Sequence, residues 1–311
     1  MTPRRADLTL LLATAMWGTS FVAVKTGLAY ATPLAFLAVR FGIAALLLAP
    51  GTRFTPLPRG RELWGGLLLG ALVAVGFVSV TFGLLVTTPS RSAFIVAISS
   101  VLAPLIGFVV LGQRPGWLAA AALALAGVGM YFLTAPDAGG LNRGDLLTLV
   151  CAVCFGGQIV AVSVLSRHGD ARRLVWIQIA STALVSAVAA ALFERPRIDW
   201  TPAFVAALAW TVAFASTLSF VLQAAAQRHM SAARAALIFC FEPLFAAAAS
   251  WLVVGERLSL TQWAGGALIL GGMALAEVPW KTSDIRHQTS GATAPVEVRS
   301  PKPDISPDAD V

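Results

Sequence analysis

Residues 7–24 read DLTLLLATAMWGTSFVAV, and residues 145–162 read DLLTLVCAVCFGGQIVAV; a constant shift of 138 lays one on the other. It pairs Asp7 with Asp145, Gly18 with Gly156, and Val22-Ala23-Val24 with Val160-Ala161-Val162. A second ungapped register, a shift of 143, lays RSAFI at 91–95 on RAALI at 234–238. The same shift pairs Gly112 with Gly255, Arg114 with Arg257, Gly129 with Gly272, and Met130 with Met273. The chain is an internal duplication, and each copy is predominantly apolar.

Composition sets the solvent. Of 311 residues, 58% are hydrophobic and 12% charged, and the mean hydropathy is +0.80. A water-soluble domain carries about 25% charged residues, because its surface needs them. The apolar residues come in blocks near the ~20 needed to cross a bilayer as a helix. The class is an all-α polytopic membrane protein. The formal charge of +7 arises largely from Arg between the apolar blocks, where it sets topology, so no nucleic-acid partner is expected.

Ten transmembrane helices are expected, at about 8–28, 33–50, 63–85, 90–111, 116–134, 145–166, 173–193, 202–224, 232–254 and 260–279. The N-terminal MTPRRADLTLLLATAMWGTSFVAV outruns a signal h-region, and no clear A-x-A cleavage site follows it. It is expected to stay as the first helix. Repeats occupy 1–134 and 145–279. From Lys281 to Val311 the sequence turns to Ser, Thr, Pro and Asp and is expected to be a disordered cytoplasmic tail. With a cytoplasmic N-terminus, inner segments hold twelve Lys and Arg against six outside, as the positive-inside rule requires. Both termini are then cytoplasmic, in a plasma (inner) membrane.

Five helices per copy is an odd number, so the second copy is expected to be inverted relative to the first. Transporters use two inverted five-helix repeats because exchanging the conformations of the halves converts inward-open into outward-open.

MWGTSF in the first helix, AVRFGIAALLL in the second, FEPLFAAAASWLVVGERL in the ninth and GGALILGGMAL in the tenth resemble the EamA-type family of the drug/metabolite transporter superfamily. The resemblance spans about residues 8–279. It implies a secondary transporter, often an exporter, of amino acids, their derivatives or drug-like solutes, with a central cavity between the halves. Where the family has Gly-Glu-Arg/Lys after the fourth helix, this chain has Gly112-Gln113-Arg114; only Glu256, in GER, keeps the acid.

An ionisable side chain near the bilayer centre costs at least ~2.5–3.5 kcal/mol and normally faces protein or a water-filled cavity. Arg40 and Glu242 lie that deep. Arg40 could anchor a substrate carboxylate, or it could partner Glu242 or exposed helix carbonyls; the resemblance favours a structural or gating part. Glu242 could be a protonatable coupling site, could bind an amine or other cation, or could brace helices. Pro243 lacks an amide hydrogen and is expected to kink the ninth helix. Gln158, Gln178 and Gln223 could hydrogen-bond a polar solute, and Trp17, Trp176 and Trp210 could wall a cavity. Asp7, Lys25, Arg91, Asp145, Arg234, Glu256 and Glu277 lie near helix ends, where snorkelling or capping accounts for them. Trp64, Trp117, Trp200, Trp263 and Trp280 fit an interfacial belt.

Gly66 and Gly70 form a GxxxG, and Gly-Gly recurs at 265–266 and 271–272, marking close helix packing. Cys151 and Cys154 form a CxxC, but within an apolar helix that spacing merely shares a face, and packing is the reading. His168, His229 and His287 lie in loops or the tail. No enzyme, metal site or cofactor is therefore expected. The implied partners are a small-molecule solute, the lipid bilayer, and a proton or solute counter-gradient. A membrane channel or a non-transport scaffold are the alternatives.

Overall fold

Proline and threonine punctuate the chain, and the helices start where they stand. The computed structural model describes residues 1–52, 60–112, 117–133, 140–166, 170–230 and 232–276. Gln113, Arg114, His168, Glu277, Trp280, His287 and the tail fall outside those residues. Helices α1 (Pro3–Gly27), α2 (Pro33–Leu48), α4 (Pro89–Leu111) and α8 (Pro202–Trp210) each open on Thr-Pro. Proline's missing N–H is no loss in a first turn, and the Thr2, Thr88 and Thr201 hydroxyls cap the amides that remain. Thr32 makes no such bond. Instead the Glu194 carboxylate accepts from the Leu34 and Ala35 amides at 3.1 and 3.4 Å.

The other elements are α3 (Arg61–Gly83), α5 (Trp117–Leu133), α6 (Arg143–Leu165), α7 (Ala171–Phe193), α9 (Ser219–Gln227), α10 (Ala232–Phe239), α11 (Glu242–Val254) and α12 (Leu260–Ala276). A π-helical stretch, Thr211–Leu218, joins α8 to α9. α4 and α11 both end in left-handed glycines, Gly112 at φ 68° and Gly255 at φ 72°. These caps are related by the shift of 143.

Among the described residues, eight helical segments are long and apolar enough to cross a membrane. Within the described residues α5 and α12 hold 17 residues each and fall among the shorter apolar helices; residues 113–116, 134–139 and 277–280 beside them lie outside the described ones. These two helices separate the eight from the ten the sequence leads one to expect. Apolar side chains such as Leu46, Val109, Leu192, Phe193 and Leu252 face outward, while Thr14, Gln158, Gln178, Ser216 and Gln223 are buried. This polarity suits a hydrocarbon solvent. Trp64, Trp117, Trp200 and Trp263 stand exposed near helix starts, as interfacial anchors do.

α3 packs on α6 and α7, α4 on α6, α2 on α7, and α5 on α12, while α1 lies against α8, the π segment, α9, α10 and α11. Glycine lets these backbones touch. A Cβ on Gly129 would come within 2.6 Å of Gly265 O and 2.8 Å of Ile269 N. One on Gly272 would come within 2.7 Å of Ala122 O and 3.2 Å of Ala126 N. The shift of 143, applied to both partners, turns one contact into the other. Between lipid-immersed helices such close approach, rather than hydrophobic expulsion, holds the pair together.

Gly265→Ala would place its Cβ 2.5 Å from Leu133 N, forcing two backbones apart. It is expected to destabilise by about 1–3 kcal/mol, read as a lower melting temperature in detergent. Gly127→Ala, whose Cβ would meet nothing within 4 Å, should leave that temperature unchanged or raised.

Candidate functional site: a central aromatic cavity

The helix containing Glu242 is broken rather than kinked. Its α10 part stops at Phe239, and the amides of Cys240 and Phe241 donate to carbonyls three residues back, at 3.3 and 3.2 Å. α11 starts at Glu242 with Pro243 in its first turn. The carboxylate therefore sits at a helix N-terminus, where the backbone dipole favours negative charge. The matching stretch of α4 runs unbroken through Ser99 and Ser100.

Gly18 brings α1 onto this break: a Cβ there would lie 2.5 Å from Glu242 O and 2.7 Å from Phe245 Cβ. On α6, a Cβ on Gly156 would lie 3.0 Å from Ser99 O. The two shifts, 138 for the glycines and 143 for their partners, relate these contacts. Glu242 therefore occupies in one half the place that Ser99 holds in the other.

Between these contacts lies a cavity enclosing about 780 Å³ not filled by protein atoms, part of it open to solvent. Its walls come from α1, α3, α4, α6, α9, α10 and α11. Aromatic rings dominate them. Trp17 meets Phe220 edge-on with centroids 5.3 Å apart, and Phe155 meets Phe77 edge-on at the same 5.3 Å. Phe77 also meets Phe220 at 6.3 Å, joining the two pairs into one row, and Phe239 leans on Trp17 at 5.8 Å.

Polar groups on the wall are few. Gln158 and Gln223 satisfy each other, each Nε2 donating to the other's Oε1 at 3.2 and 3.1 Å. Thr81 Oγ1 and Ser100 Oγ are buried without a partner among the described residues. Glu242 makes no hydrogen bond or ion pair through its carboxylate with any described residue.

The π segment positions Trp17. Its wider turns send the Ser219 amide back five residues to Phe214 O, and Ala215 O accepts from Trp17 Nε1 at 2.9 Å. Wide turns of this kind are frequent at functional sites. The same segment holds Arg40, whose Nε donates to Ser216 Oγ at 2.6 Å. Arg40 is fully buried, its guanidinium carbon 4.8 Å from the Phe77 centroid and 5.0 Å from that of Phe41. Its Nη1 and Nη2 have no hydrogen-bond partner among the described residues.

Of the eight candidate residues, Trp17, Gln158, Gln223 and Glu242 line this one cavity. Arg40 does not line it and forms no pair with Glu242; Phe77 is the ring that both lines the cavity and contacts Arg40. Gln178, on α7, lines a smaller cavity that shares Gln223 and Phe220 with the first. Trp176 braces α7 on α2 through an Nε1 bond of 3.1 Å to Ala45 O. Trp210 is 40% exposed and stacks on Phe214. Sequence reasoning missed Phe77, Phe155, Phe220 and Phe239. Only the shift that puts Phe155 opposite Trp17 could have indicated one of them.

Charged residues at the helix ends bond inside the protein instead of snorkelling. Asp145 closes a capping box with Asn142 at the start of α6 and accepts from Arg91 Nε at 2.9 Å and Thr87 Oγ1 at 3.0 Å. This Arg91–Asp145 pair is 5% and 0% exposed. Its counterpart under the two shifts, Arg234–Asp7, bonds at 2.8 and 2.6 Å but is 52% and 32% exposed. Lys25 Nζ is held by the carbonyls of Leu84, Leu85 and Thr87. Glu256 accepts from the Ser90 amide and hydroxyl and from the Ser250 hydroxyl. Among the described residues, no group of three or more His, Cys, Asp or Glu could hold a metal ion.

Comparison with known proteins agrees with this architecture. Residues 4–135 and 142–277 each match the EamA-like transporter family. An "Uncharacterized transporter" of Archaeoglobus fulgidus is 33% identical over 265 residues, 85% of this chain and 83% of that protein. The "Uncharacterized transporter YwfM" of Bacillus subtilis is 27% identical over 304 residues, 91% and 98% of the two chains. A protein solved by crystallography has the same fold, with a TM-score of 0.67 at 19% identity over 88% of this chain and 97% of that one. With an apolar helical body, a central cavity and two family matches covering nearly all of its helices, the chain belongs to the EamA-like transporter family and is a multi-pass membrane transporter of the drug/metabolite type.

Proposed function

We propose that this protein is a secondary transporter that carries a small metabolite through the central cavity by alternating access. Ten helices form two inverted five-helix repeats, 1–134 and 145–279, with both termini on the cytoplasmic side of the inner membrane. Glu242 is the residue on which solute or proton acts, and Trp17, Gln158 and Gln223 shape the space around it. Arg40, Gln178, Trp176 and Trp210 support the moving helices, and Pro243 keeps the break beneath Glu242. Export and coupling to an ion or solute gradient accord with the family resemblance.

The observation that carries this reading is that contacts at the cavity and around it occur twice. Trp17–Phe220 and Phe155–Phe77, Gly18–Glu242 and Gly156–Ser99, and the α5–α12 glycine contacts all interconvert under shifts of 138 and 143. Two halves with equivalent contacts can exchange conformations, and the exchange would move the opening from one face to the other. Glu242 breaks that equivalence at the cavity wall.

The test uses purified protein in liposomes loaded with a cell metabolite extract. Protein-dependent, saturable release of defined solutes, accelerated by the same solute outside, is the expected result by mass spectrometry. Release without saturation or trans-acceleration would indicate a channel and overturn the reading.

Topology is checked separately in a cysteine-free background. Arg172→Cys and Arg197→Cys flank α7 on exposed residues. An impermeant maleimide added to intact cells should label the Arg197→Cys variant alone; labelling of the Arg172→Cys variant would reverse the orientation.

A further inference from the structure

We infer that the solute bound in the central cavity is a small organic monocation, an ammonium joined to an aromatic or branched apolar body. The inference rests on the transport reading and names the substrate class for the same site.

Charge comes first. Among the described residues lining the cavity, Glu242 alone is an acid or a base. No hydrogen bond or ion pair from a described residue engages its carboxylate. Two basic residues adjoin lining residues in sequence or packing, and both are engaged elsewhere. Lys25 follows the lining residue Val24, yet its ammonium is held by the carbonyls of Leu84, Leu85 and Thr87. Arg40 is bonded to Ser216 and packed against Phe77, outside the lining. A carboxylate solute would therefore enter a space that offers it no cation and one anion. A zwitterion would bring a carboxylate that the described lining meets with hydroxyl and amide donors but with no cation.

The rest of the wall suits a cation. The faces of Trp17, Phe77, Phe155, Phe220 and Phe239 attract positive charge and cover an apolar body equally well. The hydroxyls of Thr81 and Ser100, unpartnered among the described residues, can accept ammonium N–H bonds. The two glutamines donate to each other and carry no charge, so among the described lining residues the charge remains that of Glu242. A half-buried carboxylate without a partner is less favourable than a paired one, and an arriving ammonium supplies the pair.

Three probes of closely matched size test the inference by calorimetry on the purified full-length protein at neutral pH: phenethylammonium, phenethyl alcohol and phenylpropanoate. Phenethylammonium is expected to bind more than about tenfold more tightly than the alcohol, and phenylpropanoate is expected not to compete. Glu242→Gln should erase the preference while leaving alcohol binding intact, which also reports that the variant is folded; Glu242→Asp should retain it. Equal affinities, tighter binding of the anion, or no binding of phenethylammonium to the wild-type protein overturns the inference. Counterflow in liposomes separates the two readings. Exchange of the anion or alcohol in preference to the amine refutes the substrate class and leaves transport standing. Glu242-dependent binding of the amine without exchange of any solute supports the class and removes transport.

Discussion

Glu242→Gln is expected to lower gradient-driven flux in liposomes by at least about a hundredfold, the loss typical of deleting one member of a buried charge pair. Glutamine preserves the shape at the start of α11 but carries no charge and no exchangeable carboxyl proton. Every reading in which the carboxylate meets a solute cation or a proton fails with it. Stability should move the other way. The wild-type carboxylate has no partner among the described residues, so replacing it removes a half-buried acid that no side chain pairs. The variant is expected to melt at the same temperature or higher in detergent. A residue that only braced helices would give the reverse, reduced stability with flux preserved. Normal flux by a folded Glu242→Gln variant would sink the assignment.

Asp145→Ala carries the largest expected cost in stability. It strips the Arg91 guanidinium of its buried carboxylate and removes the Asp145 half of the capping box at the start of α6, the bond from the Asn142 amide. Breaking a buried pair from one side costs about 3–5 kcal/mol, and losing that one further hydrogen bond adds about 1 kcal/mol. The equivalent change in the other half, Asp7→Ala, breaks an exposed pair of the kind worth about 0–1 kcal/mol. Melting temperatures of the two variants should therefore differ widely. Pairing Asp145→Ala with Arg91→Met should recover part of the loss, because an apolar pair tolerates the site that a lone charge does not. Equal losses for Asp7→Ala and Asp145→Ala would show that burial does not set the strength of these pairs.

The two ion pairs also mark how far sequence can reach. Both shifts are visible in it, one matching Asp7 with Asp145 and the other Arg91 with Arg234. Read separately, each residue looks like an interfacial charge near a helix end. The pairing runs across the repeats, from the first helix of one to the fourth helix of the other, and no local pattern states it. Glu242 and Arg40 show the same limit. Depth in the apolar spans singles both out as buried, yet their opposite charges suggest a pair that the fold does not make. Phe77 and Ser216 take Arg40, and Glu242 faces the cavity without it.

The sequence by itself determined the solvent and the helical class, and it carries punctuation by Gly, Pro and Arg and matched stretches at registers of 138 and 143. Each is local or self-referential: apolar length, a capping residue, or identity at a constant offset. Tertiary structure alone decided that α10 and α11 separate just before Glu242, that five phenylalanines and Trp17 line one cavity, and that Gln158 turns to Gln223. The physical reason is the solvent. In water, the apolar face of a helix marks what it packs against, but lipid tails are as apolar as a protein core. A phenylalanine facing lipid and one facing the cavity then look alike in sequence, and only the packing of α1, α3, α6 and α9 distinguishes Phe77 and Phe220 from Phe193.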